Sequence, residues 1–348
     1  MMSVRPVEHL GSLSRQALDH FVYIIGVPRG GTSILRDAIG LNDHVLLLPG
    51  MTHFMNQVWR YRKKVHQRLL RQIFRLPGFY QEEKVLQSLD EERRRELRVY
   101  IDRAINSRDL KRMWEIYPLV YGLDEENQKR CDRIRCWIDK ANDFHGVRRV
   151  AHAFPKGKFI LIVRDPRGAV SSLAKRMAVK ETHRTDAVLD DEKLIESCIS
   201  WRRMTQQMVR FHNKHRKRSL LVKFEDFLGS PVAVLNSIFQ FIVDKPLADE
   251  ILSRRLSELV YGTTNLPGEG GVGIRSEPAE RWRKLLDDRQ VGLIGELTEK
   301  TSEKTGYRQD KPRFRVGIRG ILRQIPGLRN KSVIFLKMAY LHLWEFLI

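Results

Sequence analysis

Phe21-Val22-Tyr23-Ile24-Ile25 is an unbroken apolar run that ends directly in Gly26-Val27-Pro28-Arg29-Gly30-Gly31-Thr32-Ser33. A short run without a polar break suits a strand buried on both faces, as in a parallel sheet covered by helices on either side. The glycines that follow predict a tight turn whose backbone N–H groups open toward an anion at the head of a helix. Thr32 or Ser33 is placed to cap that helix, and Ile34, Leu35, Ala38 and Ile39 form its apolar stripe. A strand, a glycine-rich turn and a helix in that order confine the chain to the α/β class.

The remaining pattern extends this reading. Val45-Leu46-Leu47-Leu48, closed by Pro49-Gly50, reads as a second short strand, and residues 159–163 and 220–224 read as two more. Helical periodicity marks residues 169–177, 190–215, 232–242 and 249–259, and another helix begins at Pro278 and carries Trp282. From residue 54 to 121 the pattern is helical and strongly basic, with one helix starting at Asp90 and placing Leu97, Ile101 and Ile105 on one side. The expected fold is a three-layer, P-loop-like α/β fold with a mostly parallel central sheet. A single domain is expected over residues 1–310, with a helical insertion on the acceptor side at about 55–136, followed by a tail at 311–348.

The turn at residues 26–33 has the spacing of a phosphate loop, but Thr32 stands where a nucleotide triphosphatase carries its lysine. Without that lysine, hydrolysis of ATP or GTP loses its contact to the terminal phosphates. Positive charge is supplied instead by Arg29, directly before Gly30-Gly31. A second constellation follows the 159–163 strand: Arg164-Asp165-Pro166-Arg167-Gly168, with the hydroxyl of Ser172 eight residues beyond Arg164. An arginine at the carboxyl end of a strand and a hydroxyl on the next helix offer a charged fork and a donor to one phosphate. The plain alternatives are a glycine-rich turn without a ligand and an Arg–Asp pair that only holds a loop.

Together and in this order, the two constellations resemble the sulfotransferase family. The resemblance spans residues 21–307, with 61–135 unmatched, and Pro28-Arg29-Gly30-Gly31-Thr32 and Arg164-Asp165-Pro166-Arg167 are nearer to carbohydrate and tyrosylprotein sulfotransferases than to the cytosolic small-phenol enzymes. It implies transfer of a sulfuryl group from 3′-phosphoadenosine 5′-phosphosulfate to an acceptor hydroxyl, without a metal. Arg29, Gly30, Gly31, Thr32 and Ser33 would hold the 5′-phosphosulfate, and Arg164 and Ser172 the 3′-phosphate. Lys140, in Trp137-Ile138-Asp139-Lys140, matches the lysine that approaches the transferring sulfate, the bland alternative being a solvated lysine on a helix face. Arg275 and Ser276, ahead of Arg281-Trp282, match a late loop that covers the nucleotide. One position departs from the pattern: Met51 stands where related enzymes carry a glutamate general base. His53, two residues on, is the nearest group able to accept a proton near neutral pH, and is the candidate base beside Arg29 and Lys140 as catalytic residues.

Composition narrows the partners. With 63 Lys and Arg against 42 Asp and Glu, the chain carries a formal charge of +21 and attracts polyanions. A nucleotide donor and a saccharide, glycan or lipid-linked glycan acceptor fit that charge, and no motif specifies a nucleic acid. Cys131, Cys136 and Cys198 lack both a disulfide framework and metal-ligand spacing, and residues 1–20 hold no signal-like apolar run, so a cytoplasmic location is expected. Residues 311–331 carry seven basic side chains and no acid, ahead of an apolar stretch at 333–348 interrupted only by Lys337, His342 and Glu345. That order suits peripheral contact with an anionic membrane, or a helix docked on the core. Two rival readings are a degenerate P-loop kinase or NTPase, and an inactive polyanion-binding module.

Overall fold

Phe21, Tyr23 and Ile25 pack into the core on one side of a central sheet while Val22 and Ile24 pack into the core on the other, the two-residue period of an extended chain. The structure is a computed structural model, and it describes residues 13–48, 90–261 apart from 108, 124, 143 and 145, and 271–307. In chain order the elements are α1 (Arg15–Asp19), β1 (Phe21–Gly26), α2 (Thr32–Ile39), β2 (Val45–Leu47), α3 (Glu91–Ser107), α4 (Leu110–Gly122), β3 (Cys136–Ala141), α5 (Val147–Ala153) and β4 (Lys158–Val163). They continue with α6 (Pro166–Thr182), α7 (Asp191–Lys214), β5 (Ser219–Lys223), α8 (Phe224–Gly229), α9 (Pro231–Val243), α10 (Asp249–Ser257) and α11 (Asp288–Lys304). Strands Val260–Tyr261 and Gly271–Val272 pair antiparallel as a separate small ribbon.

The five main strands run parallel in the order β2-β3-β1-β4-β5. One face is covered by α1, α4, α5, α6, α7 and α11, and the other by α2, α8, α9 and α10. This is the expected α/β architecture with helices on both sides. Its first layer is dense in aromatics: the Phe21 ring lies 4.3 Å from Trp137, 4.6 Å from Phe154 and 4.9 Å from Trp114. Such pairs add about 0.5–1.5 kcal/mol each beyond the area they bury. The indole N–H of Trp137 donates to Leu18 O at 3.0 Å, so even this apolar centre leaves that donor satisfied.

Two local expectations need correction. The helix after the glycine turn is capped by Gly31 in a left-handed conformation rather than by Thr32 or Ser33, which form its first turn. Residues 136–141 form an interior strand, so Lys140 is not a solvated helix-face lysine. Asp139 and Lys140 hide this strand in the sequence, because two charges break its apolar run. Both are buried, and both are partnered: Asp139 accepts from the Trp114 indole at 3.2 Å, and Lys140 donates to Ser33. Asp90 does open a helix, accepting from Arg93 N at 2.8 Å.

β1 lies between β3 and β4, so the chain leaves it to one side through β2 and β3 and later crosses to the other side through β4 and β5. The loops after β1, β3, β4 and β5 all emerge at the carboxyl edge of the sheet around that reversal. In open α/β sheets that crevice is where ligands bind.

Candidate active site

Backbone geometry shapes the first loop. Gly30 N donates to Val27 O at 2.8 Å, and Arg29 and Gly31 both take positive φ, 68° and 93°. Positive φ is uncommon for an arginine, and such strain concentrates where a loop must keep a fixed shape for a ligand. At Gly31 a Cβ would lie 2.3 Å from the Phe224 ring, so only glycine lets the loop rest on α8. The loop feeds into α2 at Thr32, directing free N–H groups and the positive helix end to the carboxyl edge.

Two clusters of polar side chains flank the loop. On the β3 side, Lys140 Nζ donates to Ser33 Oγ at 2.5 Å, and Thr32 Oγ1 donates to Asn142 Oδ1 at 2.8 Å. Burial, with the nearby Arg36 cation, lowers the Lys140 pKa to about 8, partly offset by Asp37 and Asp139. On the β4 side, Arg29 Nε donates to Ser172 Oγ at 3.0 Å, while Arg164 Nη1 donates to the carbonyl of Arg29 at 2.9 Å and Nη2 to that of Pro278. Arg164 is 8% exposed, its guanidinium carbon lies 4.6 Å from the Phe224 ring centre, and burial lowers its pKa to about 10. Its Nε is buried and has no partner among the described residues. Gly168 makes this packing feasible, since a Cβ there would meet Arg164 Nε at 3.0 Å.

Of the residues singled out in the sequence, Arg29, Gly30, Gly31, Thr32, Ser33, Lys140, Arg164 and Ser172 lie together at one edge of the molecule. Their grouping differs from the simple division into loop and strand. Arg29, a loop residue, reaches to Ser172, and Lys140 is the cation on the loop's serine. Arg275 and Ser276 are exposed and directly precede the short helix Glu277–Glu280, whose Pro278 carbonyl binds Arg164. That segment is fixed again by Trp282, with the Arg167 and Arg283 guanidinium carbons 4.3 and 4.5 Å from its ring centre, while Arg167 pairs with Asp165 at 2.6 Å. His53 and Met51 lie outside the described residues. Sequence reasoning missed Asn142, Phe224, Glu225 and Tyr307; the first directly follows the Lys140 strand and the next two open α8 directly after β5, so the carboxyl-edge rule could have found three of the four.

Among the described residues, no three His, Cys, Asp or Glu side chains gather where a metal ion could bind. Chemically, the edge offers two cationic corners on either side of one helix-capped loop. That arrangement suits a ligand with anionic groups at two separated points.

Comparison with known proteins bears on the fold and the family. No curated protein sequence matches the chain. Among solved structures, the chain resembles the sulfotransferase domain of the olefin synthase of Synechococcus PCC 7002, with 18% identity, a TM-score of 0.52, and coverage of 83% of this chain and 95% of that one. It also resembles the sulfotransferase domain of the curacin biosynthetic pathway, with 15% identity, a TM-score of 0.50, and coverage of 84% and 99%. At these identities the likeness speaks for the fold. The family model of the sulfotransferases matches residues 22–244, a span running from β1 and the glycine-rich loop after it through Arg164 and Ser172 to the end of α9, and the chain belongs to the sulfotransferase family.

Proposed function

We propose that this sulfotransferase takes its sulfuryl group from 3′-phosphoadenosine 5′-phosphosulfate and delivers it to an acceptor hydroxyl. The observation that carries the reading is Arg164, a buried guanidinium with an unpartnered Nε, joined through Arg29 to Ser172. A buried cation is costly unless an anion meets it. A nucleotide triphosphate carries phosphate at one end of its ribose only, whereas this donor carries a second phosphate at the 3′ position, which suits a second cationic corner.

The residues fit the donor in separate roles. Arg164, Arg29 and Ser172 bind the 3′-phosphate, Arg275 and Ser276 cover it from the late segment, and the N–H groups of residues 30–33 bind the 5′ side. When bound, the donor supplies a sulfuryl group joined to phosphate through an anhydride oxygen. Lys140, buried beside Ser33, is the cation available to charge that develops there, and fixed charges in a water-poor site act without reorganisation. His53 serves as the base for the acceptor hydroxyl in place of the carboxylate that Met51 replaces. The acceptor is a saccharide or glycan, a reading supported by the +21 charge. A cytoplasmic location is supported by three unpaired cysteines, two of them buried. Peripheral membrane contact is assigned to residues 311–348, outside the described residues; no helix among the described residues is long and apolar enough to cross a membrane.

Thermal shift tests the donor. Adenosine 3′,5′-bisphosphate is expected to raise Tm clearly more than ATP at equal concentration. Equal stabilisation by ATP would instead favour a kinase-like or NTPase-like nucleotide site.

A further inference from the structure

An acidic side chain stands directly behind the proposed 3′-phosphate corner, where a negative charge would oppose anion binding. Glu225 lies in the first turn of α8, two residues past β5, and is half-buried. Its Oε1 accepts from the backbone N–H of Asp165 at 3.1 Å, and its Oε2 lies 2.5 Å from the hydroxyl of Tyr307. That same hydroxyl lies 3.1 Å from the carbonyl of Val163. A third side chain joins them: the Trp201 indole donates to the carbonyl of Arg164 at 3.0 Å.

These contacts have a common target. The carbonyl of Val163 belongs to the peptide unit before Arg164, and the carbonyl of Arg164 with the N–H of Asp165 forms the unit after it. Tyr307, Trp201 and Glu225 therefore hold both peptide units that flank Arg164, from three separate parts of the chain. With its backbone fixed and two guanidinium nitrogens tied to the carbonyls of Arg29 and Pro278, Arg164 has its remaining Nε set in one direction.

We propose that Glu225 and Tyr307 are a positioning pair for Arg164, and that they set the enzyme's preference for nucleotides bearing a 3′-phosphate. A proton count describes how the pair works. Tyr307 has one hydroxyl hydrogen and two acceptors in reach, Glu225 Oε2 and Val163 O; a protonated Glu225 donating to Tyr307 would free that hydrogen for Val163 O, so that both contacts form at full strength. Burial pushes the Glu225 carboxyl upward from its usual value, against the opposing pull of its hydrogen bonds and the Arg164 charge. A protonated Glu225 also places no negative charge behind the phosphate corner. The side chain is retained there for its two hydrogen bonds, which a glutamine can also make.

The inference rests on the donor reading, and the experiment separates the two. Calorimetric titration of the full chain with adenosine 3′,5′-bisphosphate and with adenosine 5′-monophosphate gives the affinity ratio that reports the 3′-phosphate alone. Glu225→Ala and Tyr307→Phe are each expected to reduce that ratio about tenfold, the order of one hydrogen bond to a charged group. Binding of the monophosphate should stay within a few-fold, and Glu225→Gln should keep the parent ratio. General loosening of the fold would weaken both ligands together and leave the ratio unchanged, overturning the inference. A ratio lost in Glu225→Gln as fully as in Glu225→Ala would overturn it as well. If the parent protein itself does not prefer the bisphosphate, the donor reading fails and takes this inference with it.

Discussion

Arg29 and Ser172, 143 residues apart in the chain, meet at 3.0 Å and bind the phosphate loop of β1 to the first turns of the helix after β4. The contact places a loop arginine at the corner that Arg164 occupies. Arg164→Ala should therefore act mainly on nucleotide affinity, raising the Kd for the bisphosphate roughly 10- to 100-fold, since hydrogen bonds from a charged group are worth about 1.5–3 kcal/mol. Arg29→Ala should lower affinity and also turnover at saturating donor, because its loop faces both anionic groups. Ser172→Ala should have a smaller effect on affinity. Full activity in both arginine variants, with the fold intact, would reject the site assignment.

Lys140 should impose a pH limit on the reaction. Its pKa, lowered to about 8 by burial, leaves the ammonium charged below that pH and neutral above it. The free-enzyme profile of kcat/KM should accordingly carry a descending limb near pH 8. Lys140→Arg, whose guanidinium stays ionised, should move that limb out of the measurable range. Stability follows the opposite course: the unfolded chain holds the extra proton between about pH 8 and 10.5, so this residue's contribution rises with pH through that window. Urea unfolding of the parent and of Lys140→Met at pH 7 and pH 10 should show the rise only in the parent.

Gly31→Ala tests the loop geometry. The substitution places a Cβ at φ 93° and against the Phe224 ring, so it combines left-handed strain, of order 1–3 kcal/mol, with a clash that moves α8 or the loop. A fall in Tm together with loss of bisphosphate binding is expected. Unchanged binding would show that the loop tolerates another shape.

His53→Gln should reduce turnover on the order of 10²- to 10⁴-fold, the usual contribution of a positioned base, while leaving bisphosphate affinity unchanged. The ascending limb of the parent's pH profile near the imidazole pKa should be lost in the variant. Turnover within a few-fold of the parent would make His53 a structural residue and move the search for the base to other acceptor-side groups.

Residues 311–348 are tested by flotation. The full chain should rise with liposomes containing anionic lipid, and a chain truncated after Pro312 should not. Equal binding by both would remove the membrane assignment.

What was legible in the sequence follows from where charge sits. β1 is apolar throughout and β4 is apolar after Lys158, and they are the central strand and its neighbour, so Phe21, Ile24, Phe159 and Leu161 announced them directly. β3 was not legible, since Asp139 and Lys140 are buried charges whose partners, Trp114 and Ser33, lie on other elements. The residues of the carboxyl edge stood out in the sequence because each sits next to a turn or a strand end, where spacing is informative. Glu225 sits just past β5, within reach of the carboxyl-edge rule, but Tyr307 was not legible, because its importance lies in touching the backbone before Arg164 across 144 residues of chain. Distant contacts to main-chain atoms leave no pattern in a sequence.

The hydroxyl that closes the turn before Arg164 belongs to Tyr307, whereas the phosphate loop is made of residues 26–33. During synthesis the two ends of this site are therefore separated by nearly the whole fold. Until Tyr307 has been added and α11 has docked, Leu293, Ile294 and Leu297 cannot cover α6 and α7, and the nascent chain presents that apolar surface to its surroundings. Nucleotide in the cell can stabilise the finished protein by binding it, but it cannot assist the growing chain through most of translation. Truncations ending before residue 307 should thus depend heavily on chaperones and be cleared rapidly, even though they retain every glycine of the loop.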